Sequence, residues 1–206
     1  MTLLNRRYFM KHVLSVLALA ATAALASPAF AQTYRAIASG PAESPPNASP
    51  GNSLVTLELA GSNLLVDMPF RDLAGTTAAA HIHCCTADAF TGTAPVALPF
   101  DDFPTGVKAG SYSMSIPLYE EASYDPAFLA AHGNSAKGAA TALLDAMNAH
   151  EAYVNVHTST YPGGEIRGFV VAAPIPEPAE WAMLAGGLAS LLWIGRRRRW
   201  EVSWQK

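Results

Sequence analysis

Tyr153-Val154-Asn155-Val156-His157-Thr158-Ser159-Thr160-Tyr161-Pro162-Gly163-Gly164-Glu165-Ile166-Arg167-Gly168 packs a strand, a turn and a second strand into one short run. Val154, Val156 and Thr158 fall on one face at period two, so Tyr153, Asn155 and His157 share the other. Pro162-Gly163-Gly164 turns the chain, because proline presets φ and the glycines accept positive φ. Ile166, Gly168 and Val170 then alternate with Glu165, Arg167 and Phe169, which predicts the returning strand.

A second alternating stretch lies upstream, at Ala80-His81-Ile82-His83-Cys84-Cys85. His81 and His83 share one face and Ala80, Ile82 and Cys84 the other. Imidazoles at i and i+2 leave the backbone roughly 7 Å apart, within reach of a single ion between the rings. His157, from the neighbouring hairpin, completes a three-imidazole set suited to copper or zinc. Cys85 joins the same face if the strand continues, and its thiolate would then add to or replace a histidine. The competing expectation gives the three histidines to loops or solvent and makes Asn155, Glu165 and Arg167 a structural polar network. Adjacent cysteines on a strand point to opposite faces, so a bond between them requires a departure from strand geometry. The favoured expectation is a buried, apolar Cys84 with Cys85 near the histidines; a vicinal disulfide or an intermolecular bond stays open.

The remaining chain reads as short strands and one helical excursion. Tyr34, Ala36 and Ala38 alternate in an opening strand, and the four-proline segment 40–52 reads as an exposed loop. Val55, Leu57 and Leu59, then Leu64, Val66, Met68 and Phe70, form a second hairpin about Gly61-Ser62. A short strand covers 96–100, and Tyr112, Met114 and Ile116 mark a half-buried one. Asp101-Asp102 reads as a solvated pair, and Asn47-Ala48-Ser49 as an uninformative match to a glycosylation acceptor. Asp125-Pro126 starts a short helix that Gly133-Asn134 stops. Ala140, Leu143, Leu144 and Met147 give residues 135–149 a helical stripe, with His132 and His150 at helix ends. The fold expected is mainly β: a single antiparallel β-sandwich or barrel, immunoglobulin-like or Cu/Zn superoxide dismutase-like, with a short helical insert.

Both ends read as processing segments. Arg6, Arg7 and Lys11 precede an apolar run over 13–26 and Ala29-Phe30-Ala31, the order of a signal peptide over 1–31. Its Asn5-Arg6-Arg7-Tyr8-Phe9 string also fits a twin-arginine signal, leaving the export route open. The domain expected is 32–173. Over 174–206, Pro176-Glu177-Pro178, an apolar helix at about 179–195 and Arg196, Arg197, Arg198 and Arg199 resemble the PEP-CTERM sorting signal of Gram-negative bacteria. That resemblance implies processing by an exosortase. The arginines would hold the cytoplasmic side of a membrane helix.

The ordered set Ala80-His81-Ile82-His83, Tyr153 to Thr158 and Gly164-Glu165-Ile166-Arg167-Gly168 resembles the CHRD domain, over most of 34–171. The resemblance implies a β-rich module found in exported proteins, with little defined biochemistry. The His-x-His strand with a later histidine is also similar to the copper-site layout of Cu/Zn superoxide dismutase, without its bridging and zinc ligands. A nucleophile elbow, phosphate loop, HExxH helix and CxxC pair are all missing from the sequence. A net charge of −3 at pH 7 gives no reason to expect nucleic acid. The leading expectation is an exported, envelope-associated binding module with copper or zinc on its histidine face. It would meet export machinery and exosortase, then extracellular polysaccharide or envelope proteins, first at the inner membrane facing the periplasm and later at the cell surface or matrix. A metal-dependent redox enzyme and a metal-free structural matrix component are the alternatives.

Overall fold

The computed structural model describes residues 32–174 and 184–191. Among the described residues there are nine strands: β1 Gln32–Ser39, β2 Asn52–Ala60, β3 Asn63–Arg71, β4 Thr77–His83, β5 Val96–Pro99, β6 Gly110–Pro117, β7 Tyr153–Thr158, β8 Ile166–Phe169 and β9 Val171–Ala172. Between β6 and β7 lie α1 Pro126–Ala131 and α2 Ala136–Ala149.

All nine strands belong to one antiparallel sheet, in the order β5-β4-β7-β8-β1-β2-β3-β6, with β9 added to β1. The sandwich-or-barrel expectation thus resolves to one curled half-barrel instead of two stacked sheets. β8 carries the sheet across to β1 through Ser39 and Arg167, and β9 reinforces the junction at Tyr34 and Arg35. The end strands β5 and β6 do not pair with each other. Aromatic rings bridge this seam: Phe100, just past β5, stacks on Tyr112 of β6 at 5.1 Å, and Phe103 contacts both Phe70 and Tyr112.

The concave face is apolar because one parity of each strand is apolar. Ala36 and Ala38, Val55 and Leu57, Leu64 and Met68, Ile82, Val154, Val156 and Ile166 are all buried there. Each large aliphatic side chain removed from water contributes about 1.5–3 kcal/mol. α2 packs into the same core through Ala139, Ala140, Leu143 and Met147, its alanines allowing close approach. Its start is capped by Ser135, whose Oγ accepts from the Gly138 amide, and α1 is capped by Asp125. His150 ends α2 in the left-handed region, its amide donating to the Ala146 and Met147 carbonyls.

The 40–52 segment exposes its four prolines, as expected, but is pinned to the domain at intervals. Gly40, Glu43, Ser49 and Gly51 are buried, because side chains supply the hydrogen bonds that a ladder would otherwise give. Asn47 spends its amide on the Glu165 carbonyl and the Ser49 amide. Asp101 and Asp102 are exposed, as the sequence predicts.

Residues 32–174 belong to one compact unit. The expected signal segment over 1–31, the Pro176-Glu177-Pro178 motif and Arg196 to Arg199 lie outside the described residues. Of the expected membrane helix over 179–195, residues 184–191 are described and helical. Among the described residues no helix is long and apolar enough to cross a membrane.

Candidate metal centre

The β4–β7 ladder sets the site. His83 lies opposite Tyr153, His81 opposite Asn155 and Ala79 opposite His157, with a register shift between Thr77 and Ala79 that falls beside His157. Such shifts re-aim side chains. The three histidines project to the convex face, away from Ile82 and Val156. Their ring centroids are 5.7 Å apart for His81 and His83, 5.1 Å for His81 and His157, and 5.9 Å for His83 and His157. One ring nitrogen from each lies within 4.8 Å of the other two.

Hydrogen bonds identify those nitrogens. His83 Nδ1 is 2.9 Å from the Ala94 carbonyl, and His157 Nδ1 is 2.9 Å from the Pro162 carbonyl. A carbonyl only accepts, so both Nδ1 atoms carry the proton, and in a neutral ring Nε2 then holds a free lone pair. His83 Nε2, His157 Nε2 and His81 Nδ1 are buried and have no hydrogen-bond partner. His83 Nε2 and His157 Nε2 are thus unpartnered acceptors, and His81 Nδ1 is a third when the ring proton sits on Nε2; a cation satisfies such a set. Backbone carbonyls behind ligating imidazoles are the usual means of fixing their orientation.

The site's electrostatics favour the neutral forms of His81 and His83. Burial, with His157 and His83 adding repulsion, lowers His81 to about 4. Burial also pushes His83 below its ordinary value, against the opposing pull of the Ala94 carbonyl. Neutral imidazole is the form that ligates metal.

Cys85 does not join the group. β4 ends at His83, so the parity argument stops two residues short of carrying Cys85 onto the histidine face. Cys84 and Cys85 are joined in a vicinal disulfide across a cis peptide, the arrangement less favoured in the sequence reading. The Cys85 sulfur lies 4.0 Å from the Ala142 carbonyl of α2.

The polar residues beside the histidines form two structures. Glu165, fully buried, accepts from the Ser49 and Thr158 hydroxyls and from the Ala74 and Gly75 amides. These donors hold its carboxyl below the ordinary range despite burial. Asn155 donates to Glu43 at 2.8 Å, and Arg167 lies 4.0 Å from the same carboxylate. Arg167 also donates to the Ala42 and Gly92 carbonyls, both at 2.9 Å. Burial raises Glu43, while Arg167 opposes the shift. The expected polar network is thus present in part alongside the histidine cluster: Asn155 and Arg167 meet at Glu43, whereas Glu165 has its own set of donors. Glu43 and Ser49 are its unforeseen members: a lone acid among prolines was the available signal. Gly164, at φ +133°, carries no Cβ where one would meet the Asn155 amide and Glu43 within 3 Å.

No curated protein and no solved structure matches the chain. The CHRD domain model matches residues 34–170, a span holding all three histidines, both polar structures and every strand from β2 to β8, and the chain belongs to the CHRD domain family.

Proposed function

We propose that this CHRD domain is an exported binding module that holds one copper or zinc ion. His81 Nδ1, His83 Nε2 and His157 Nε2 would be its ligands. The observation that supports the reading is the convergence of three buried ring nitrogens that no protein donor meets. An unsatisfied buried polar atom costs about 1–3 kcal/mol, and bringing three acceptors together adds their mutual repulsion. All-nitrogen ligation by imidazole suits copper and zinc over harder cations. Three ligands leave a fourth position for water or an exogenous group.

Export is inferred from the basic, apolar and Ala29-Phe30-Ala31 order at the start of the chain. Retention by a sorting signal is inferred from Pro176-Glu177-Pro178 and the arginine cluster. In this reading the domain faces the periplasm from the inner membrane before passing to the surface, where polysaccharide or envelope proteins are its partners.

One experiment addresses these points together: elemental analysis and superoxide turnover of the protein recovered from the envelope of cells grown with ample copper and zinc. The expected result is about one ion per chain, no turnover, and loss of the ion in His83→Ala. Turnover that disappears in His83→Ala would favour the redox alternative. Metal-free protein would sink both metal readings and leave the structural matrix component.

A further inference from the structure

Beyond the ligand nitrogens, the contacts on this face converge on one ring. Tyr153 stacks on His83 with centroids 4.8 Å apart and planes 3° from parallel. Its hydroxyl lies 3.2 Å from the Ala94 amide, from which it accepts, and 3.3 Å from the Ala94 carbonyl. That carbonyl is the one bonded to His83 Nδ1. The Arg167 guanidinium sits over the Tyr153 ring at 4.7 Å and donates to Gly92, two residues earlier in the same loop.

We infer that Tyr153 is a positioning residue for the metal centre, fixing the tautomer of His83 through Ala94. A hydroxyl engaged with both polar groups of one residue restrains the flanking peptide planes. The Ala94 carbonyl then stays against His83 Nδ1, the proton stays there, and the Nε2 lone pair stays turned inward. The stacked ring holds the imidazole plane, and Arg167 ties ring and loop together. The purpose of this arrangement rests on the metal reading above; the tautomer itself belongs to the metal-free chain and is measured there.

The test uses the full chain labelled with ¹⁵N-histidine, metal-free at pH 7.5, followed by zinc titration. Wild type is expected to show His83 wholly protonated on Nδ1. Tyr153→Phe keeps the stack and removes the hydroxyl; it is expected to give mixed His83 tautomers and a roughly tenfold loss of zinc affinity, as for other outer-shell changes. His157, held by Pro162 on a different loop, should keep its tautomer and so reports that the fold survives. Arg167→Lys, with the hydroxyl intact, is the second variant and should produce the same tautomer mixing more weakly. An unchanged Nδ1–H tautomer in both variants, with affinity within twofold of wild type, would overturn the inference. Tautomer mixing in a chain that never binds zinc would support the positioning role while sinking the metal reading.

Discussion

At the scale of single residues, the centre is defined by where protons are absent. His83 and His157 give their N–H groups to backbone carbonyls, and His81 is lowered to about 4 by burial and its two neighbours. An unfolded chain binds a proton on His81 as pH falls through about 6.5, whereas the folded chain resists until about 4, and His83 is displaced in the same direction. The unfolded state therefore holds more protons across that window, and stability falls as pH drops. Metal-free protein should lose urea midpoint between pH 6.5 and 4.5, and His81→Gln should lose less. Glu165, lowered from 4.5, acts only below this range, and Glu43, raised from 4.5, acts in the opposite sense in both proteins. Equal slopes for the two chains would remove His81 from the account. The shared face of His81, His83 and His157 was legible because strand parity is a period of two and needs no distant information. Cys85 was misplaced by the same rule, since the end of a strand is decided by its ladder and leaves no mark in alternation.

At the scale of elements, the hairpins, the Asp125 cap and the α2 stripe were all readable from local pattern. Loop contacts were not. Ser49 and Glu165 are 116 residues apart, and Asn155 and Glu43 are 112 apart, so nothing in the 40–52 composition distinguishes a pinned loop from a free one. Glu165 ties together this loop, the residues following β3 and the end of β7. Glu165→Ala would strand two hydroxyls, the buried Gly75 amide and the half-buried Ala74 amide, each of which loses a bond to a charged acceptor. The expected cost is about 3 kcal/mol or more, read as a lowered urea midpoint at pH 7. A loss within ~0.5 kcal/mol, the range of ordinary surface changes, would show that the loop does not depend on this carboxylate.

At the scale of the whole molecule, the sequence implied an antiparallel β domain but left open how its strands close. The answer lies in the β8–β1 junction, which one bridge and the two residues of β9 secure, and in the aromatic seam between β5 and β6. Neither has a compositional signature. The curl leaves the concave face to the apolar core and α2, and the convex side of β4, β7 and β8 to the histidines, Tyr153 and Arg167. One sheet thus separates packing from chemistry by strand parity, with loops 40–52, 84–95 and 159–165 supplying the carbonyls and carboxylates that hold the polar face. X-ray absorption on the zinc-loaded chain tests the central claim most directly. The account predicts three imidazole nitrogens at about 2.0 Å with no sulfur neighbour; a sulfur ligand, or fewer than three imidazoles, would contradict it.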